Sequence, residues 1–117
     1  MIRIKDVKKE ILKDPQNWQI PFMDFVDDFR YHKNPEAISE SFEGDLTKWD
    51  SLLASTATYL CNEMELATPA WIENVPACKD PWFVSGLENL KAITLVESPL
   101  AFRIRKIFVL ENFLSRV

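Results

Sequence analysis

Glycine is nearly missing from this chain, with two among 117 residues. A many-stranded sandwich or barrel needs tight turns at short intervals, and so few glycines argue against one. The same scarcity removes the glycine-rich loops that cradle phosphates, so nucleotide binding of the common kinds has no support. Histidine occurs once, at His32, and cysteine only at Cys61 and Cys78. No CxxC, HxxxH or HExxH spacing exists to hold a transition metal. A Ser/His/Asp set drawn from one histidine has nothing to bring its members together and no strained nucleophile turn. No apolar run reaches the roughly 18–20 residues of a membrane span, and the charged N-terminus does not read as a signal. Thiols without a secretion signal fit a reducing compartment, so a cytoplasmic location is expected. No cofactor is expected either.

What the chain does have is apolar and aromatic mass: 47% hydrophobic residues, with four Trp and eight Phe. That is enough to bury a core in one helical domain over residues 1–117, with 1–14 as a peripheral N-terminal helix. The net charge of −4 does not suggest general nucleic-acid affinity. Acidic groups gather at Asp27-Asp28 and at Glu40, Glu43 and Asp45, while Arg103, Arg105 and Lys106 form a basic cluster.

The longest stretch free of Pro and Gly is Leu46–Leu66. Leu46, Trp49, Leu52, Leu53, Thr56, Ala57, Leu60 and Met64 repeat at the three-then-four spacing of one helix face. Asp45 is the expected N-cap, and Pro69 follows the last turn. Before it, Ile4, Val7, Ile11 and Leu12 share a face of a helix closed by Pro15, with Lys8, Lys9 and Lys13 read as a solvated face beside Asp6, Glu10 and Asp14. Phe22, Phe25, Val26 and Phe29 mark a second helix, and Asn34-Pro35-Glu36 opens a short third one carrying Ala37, Ile38 and Phe42 inward.

Residues 69–84 hold three prolines and two tryptophans, which predicts an ordered connector fixed by aromatic burial; an exposed proline-aromatic ligand is the rival reading. Ser85-Gly86-Leu87-Glu88 matches a capping box, predicting a helix over 86–97 with Leu87, Leu90, Ile93 or Thr94, and Leu95 inward. Ser98-Pro99 opens another, burying Phe102, Ile104, Ile107 and Phe108, and Glu111–Val117 reads as a last short helix. The expected fold is all-α, a compact bundle of about five to seven helices around the central helix 46–66.

Candidate site residues are few. Asp24 and Asp28 share a helix face but offer too few oxygens for calcium. His32 suits a helix C-terminus, where its charge would meet the dipole. Cys61 and Met64 read as packing residues. On a regular helix Arg103 and Arg105 project about 200° apart, whereas Arg103 and Lys106 share a side. The arginines are open to three roles: an internal ion pair, a protein contact or a phosphate contact.

The order Pro69-Ala70-Trp71, Pro76, Pro81-Trp82-Phe83, Leu90-Lys91-Ala92 and Ser98-Pro99-Leu100-Ala101-Phe102-Arg103-x-Arg105-x-x-Phe108-Val109 resembles a C-terminal region of bacterial helix-turn-helix, antitoxin-like regulators. The resemblance spans about residues 66–117. Some of those regulators are encoded beside a nucleotidyltransferase-like toxin, so it implies a helical module that holds a partner protein. Residues 1–65 depart from the pattern: no tight Gly turn joins two short helices before a polar recognition helix, so DNA binding is not carried over. The expectation is a regulatory subunit that binds a protein through Trp71, Trp82, Phe83, Arg103, Arg105 and Lys106. Aromatic and Arg side chains usually dominate such contacts. Two alternatives stand beside it: nucleic-acid contact through the C-terminal basic patch, and an enzyme whose pocket holds His32 or Asp24 and Asp28. Self-association through Trp18, Trp71 and Trp82 is a further possibility.

Overall fold

The N-terminal apolar stripe folds as read, with one substitution of role. In the computed structural model, which describes residues 1–45, 47–86 and 88–115, helix α1 (Ile4–Lys13) turns Ile4, Val7 and Ile11 fully inward. Leu12, expected beside them, is exposed, and Lys8 is buried in its place. Lys8 lies four residues after Ile4 and three before Ile11, so it belongs to the apolar face by spacing. A 3-10 turn at Pro15–Asn17 leads to helix α2 (Gln19–His32), which buries Phe22, Phe25, Val26 and Phe29 as expected. Lys33 closes α2 in the left-handed conformation, φ 53°. The Asn34 side chain accepts from the Glu36 amide, the predicted cap, but the element it opens is a single 3-10 turn, Pro35–Ile38.

Helix α3 (Lys48–Met64) is shorter at both ends than its apolar pattern. The N-cap is Thr47 rather than Asp45; the Asp45 carboxylate instead accepts from the Thr47 amide and hydroxyl. Every residue from Asp50 to Ala57 is buried, so over these turns the helix is enclosed on all sides rather than along one stripe. Small side chains make that closeness feasible. The Ser51 hydroxyl donates to the Pro76 carbonyl, 2.8 Å, and the Thr56 hydroxyl turns back on Leu52. α3 packs against α1, against the 3-10 turn Ala70–Asn74 and against the C-terminal helix α5 (Leu100–Arg103).

Two strands depart from the all-α expectation. β1 (Trp82–Phe83) pairs in parallel with β2 (Ile107–Phe108), in the register Trp82 to Ile107 and Phe83 to Phe108. The ladder extends past the strands, from the Cys78 amide to the Arg105 carbonyl and from the Val84 amide to the Phe108 carbonyl. The proline-rich connector is therefore ordered by backbone pairing as well as by its rings. A parallel pair needs a crossover, and residues 84–106 supply it through a 3-10 turn at Glu88–Leu90, helix α4 (Lys91–Glu97) and α5. α4 begins later than the capping box predicts, because Gly86 sits at φ +69°. Thr94 faces inward; Ile93 and Leu95 do not. The helix expected from Ser98-Pro99 ends at Arg103, leaving Ile104 exposed, and residues 111–114 form turns instead of the last short helix. The expectations placed on Leu46, Leu87 and Val117 lie outside the described residues.

The chain is mostly helical, and its radius of gyration of 13.3 Å matches the roughly 13 Å of a compact chain of this size. No helix of the described residues is long and apolar enough to cross a membrane.

The buried lysine closes an ion-pair cluster. Lys8 Nζ stands 2.5 Å from Asp50 Oδ1 and 2.8 Å from Asp45 Oδ1, and it donates to the Glu43 carbonyl. Asp50 Oδ2 accepts from the Asp45 amide, 2.9 Å. The cluster thus ties α1 to the start of α3 through the 43–45 loop. Burial alone would lower the Lys8 pKa, but Asp45 and Asp50 outweigh it and hold the ammonium above its ordinary 10.5. Lys8 in turn draws Asp45 down to about 2 from 3.8, with Thr47 assisting. The Asp45 contribution to stability is complete above its unfolded value of 3.8 and is lost as pH falls through about 2. The Lys8 contribution is complete below 10.5 and is lost as pH rises through its folded value. Replacing Lys8 with Met should cost about 3 kcal/mol in urea unfolding, because Asp50 keeps a buried charge without its ammonium. The same series run against pH should show the alkaline loss of stability vanish in the variant.

Candidate functional site

The basic cluster read from the sequence is divided by the fold. Because α5 stops at Arg103 and Lys106 takes the left-handed conformation, φ 61°, the three side chains do not share a helix. Arg105 points inward and is 7% exposed. Its Nη2 donates to the Ile72 carbonyl, 2.9 Å, its Nε to the Val75 carbonyl, 3.4 Å, and its Nη1 to the Ser55 hydroxyl, 3.3 Å. Burial pushes the guanidinium below its ordinary pKa of 12.5. These bonds run to carbonyls and a hydroxyl, not to the carboxylate that an ion-pair reading requires. Arg105 is an interior residue, and a surface contact role for it is corrected on that ground.

Arg103 is exposed, and its Nη2 bridges the Val96 and Ser98 carbonyls at 3.0 and 2.9 Å. It thereby satisfies acceptors left open at the end of α4. Lys106 is exposed, and its carbonyl receives the Trp82 amide.

The three aromatic candidates are half-buried and committed to internal contacts. Trp71 Nε1 donates to the Ile38 carbonyl at 2.8 Å, and its ring meets Phe42 edge to face. Trp82 lies perpendicular to Trp49, with centroids 5.5 Å apart, and beside Trp18. Phe83 stacks on Phe108 across the strand pair, 5.1 Å between centroids. The fold does not gather Trp71, Trp82 and Phe83 with Arg103 into one outward face.

His32 is exposed at the end of α2, its Nε2 3.4 Å from Asp28 Oδ1 and its ring edge-on to Tyr31. Asp28 also receives the Ile2 amide, 2.8 Å, which docks the N-terminal segment on α2. Among the described residues no group of three His, Cys, Asp or Glu is placed to hold a metal ion.

A different surface carries the open apolar groups. Val96 is 78% exposed, Leu100 71% and Ile104 57%. Leu100 and Ile104 stand one turn apart, joined by the Ile104 amide bond to the Leu100 carbonyl. The Arg103 bridge to the Val96 and Ser98 carbonyls ties the end of α4 to α5, so the three exposed side chains stand on joined segments, a ridge with Arg103 beside it. Ile93, also exposed, continues it to the rim of an open cleft of about 690 Å³ that Tyr59 and Glu97 border. Sequence reasoning assigned Ile104 inward and gave Leu100 no role. The signal it lacked was the end of the helix at Arg103, which rotates Ile104 outward.

The ordered S-P-x-A-F-R-x-R residues fill structural roles. The Ser98 hydroxyl donates to the Thr94 carbonyl and accepts from the Val109 amide, 2.8 Å. Ala101 and Phe102 are buried, and Arg105 is interior. The exposed Leu100 and Ile104 occupy the unspecified positions between them. Comparison with protein-family models, with curated proteins and with solved structures gave no match to this chain.

Arg105→Met should lower stability by about 3 kcal/mol in denaturant unfolding, since bonds from a charged donor contribute about 1.5–3 kcal/mol each and their carbonyls stay buried. Arg103→Gln, which loses a bridge at an exposed helix end, should cost less than about 1 kcal/mol. Equal costs for the two would place them in equivalent surroundings and contradict the division described.

Proposed function

We propose that this chain is a protein-interaction module, a regulatory subunit of the antitoxin-like kind, that covers its partner with the ridge Val96, Leu100 and Ile104. In this reading α3 is the central rod of a helical bundle, and α4 and α5 are the recognition face held out from it. The observation that carries the reading is the exposure of those three side chains on the segments that Arg103 ties together. Each aliphatic side chain of this size gains about 1.5–3 kcal/mol when fully removed from water, and a patch of this kind rimmed by polar groups is the usual mark of a binding surface.

The rim gives the partner its chemistry. Arg103 stands beside the ridge on an otherwise acidic chain, so the matching surface is apolar at its centre with a carboxylate at its edge. The resemblance of residues 66–117 to antitoxin-like regulators supports the same class of role. In this reading the contact positions move from Trp71, Trp82, Phe83, Arg105 and Lys106 to the exposed Leu100 and Ile104, with Arg103 retained.

The test is co-purification from the native host through a high-salt wash, with wild type and with Leu100→Asp and Ile104→Asp. A stoichiometric protein retained by wild type and weakened at least about tenfold by either variant is expected, because each variant places an unpaired charge in a desolvated contact. Both variants should keep the wild-type unfolding midpoint, since neither side chain is in the interior. Nucleic acid that leaves in salt, with no retained protein, would overturn the reading in favour of phosphate contact.

A further inference from the structure

On the opposite strand of the sheet from the ridge's own segment, Trp82 forms one wall of a cleft of about 530 Å³, and Trp49 forms another. The two indoles stand at 90°. Lys48 Nζ lies in the notch between them, 4.5 Å from the Trp82 ring centroid and 5.2 Å from that of Trp49. Lys79 and Asp80 complete the rim, and the buried Cys78 lies at the floor. Among the described residues the Trp71 indole N–H is bound to Ile38, whereas those of Trp18, Trp49 and Trp82 have no protein acceptor. The Trp49 and Trp82 N–H groups are not among the buried unpartnered atoms and are open to solvent.

The charge of the cleft runs against that of the chain. The protein carries −4 overall, yet Lys48 and Lys79 line this cleft against Asp80 alone. Lys106 adds to the positive side from the adjoining strand. Burial pushes the Cys78 thiol up, while Ser51, Lys48 and then Lys106 act to bring it down, so both ammonium groups are felt at the floor.

We propose that this cleft binds a small planar anion, an aromatic ring bearing a carboxylate or a phosphate, whose ring displaces the Lys48 ammonium from the indole faces while the anionic group takes its place between Lys48 and Lys79. The indole faces supply stacking area that tolerates many ring types. The free indole N–H groups donate to ring or anion acceptors, and the lysines give charge-assisted bonds that a neutral ring does not receive. The site is separate from the ridge and does not depend on the ridge having a partner.

The four tryptophans make the test direct, because each gives one indole N–H resonance. The full chain, labelled with nitrogen-15, is titrated with naphthoate, with AMP, with naphthalene methanol as an uncharged ring, and with inorganic phosphate as an anion without a ring. Naphthoate or AMP should move the Trp49 and Trp82 indole signals and leave Trp71 in place. Preference between the two assigns the anion as carboxylate or phosphate. Lys48→Gln and Lys79→Gln, both at exposed positions, should each weaken that binding about tenfold, the loss of one charge-assisted bond. The proposal is overturned if neither signal moves at millimolar probe, or if naphthalene methanol binds as well as naphthoate. Binding of inorganic phosphate as tight as AMP, or equal movement of Trp71, would overturn it too.

Discussion

One buried guanidinium ties the second half of this fold to the first from the interior. Arg105 stands at the meeting of three segments, the middle of α3, the turn over residues 70–75 and the strand β2, and it bonds to a group in each of the first two. Two of its acceptors are main-chain carbonyls, and that of Ile72 also receives the Val75 amide at the end of the 3-10 turn. A buried carbonyl that loses a donor is costly, so Arg105 adds to the Ser51 bond to Pro76 in holding the irregular 69–84 connector against α3. The parallel strand pair follows from the same placement, since the Arg105 carbonyl receives the Cys78 amide and begins the ladder. The side chain and the main chain of one residue therefore fix both sides of the connector.

The first half of the molecule was largely legible because its elements are long. Phe22, Phe25, Val26 and Phe29, and the run from Trp49 to Leu60, repeat often enough for period to identify helix and buried face together. Lys8 shows the limit of reading by residue type: its position on the Ile4–Ile11 face was plain, but a lysine there was taken for surface. What decided its burial was the pair Asp45 and Asp50, more than thirty residues away in sequence. Local pattern does not carry that information.

The second half was legible in what it buries and not in how. The rings of Trp71, Trp82 and Phe83 were expected to order the connector, and they do. The strand pair was not foreseen, because two residues are too few to display alternation. Ile104 was taken as inward by extending a helix that ends at Arg103, and Leu95 by assigning inward positions to a helix that ends at Glu97 as expected but starts late, at Lys91. Both ends depend on tertiary bonds, from Arg103 to the Val96 and Ser98 carbonyls and from Arg105 to the connector. The candidate site shifted for the same reason: the conspicuous residues of the S-P-x-A-F-R-x-R stretch build the scaffold, and the outward positions are the inconspicuous ones between them.

The reach of Arg105 also sets an order on biosynthesis. Its bonds span 30, 33 and 50 residues back along the chain. A nascent polypeptide that has passed α3 and the connector but not yet residue 105 holds carbonyls at 72 and 75 and a hydroxyl at 55 that still lack the guanidinium. Those segments emerge without one set of the bonds that join them in the finished fold. Closure of the interior waits on a residue made nearly last among those described, and until then the aromatic connector is the part of the nascent chain most in need of shelter from aggregation.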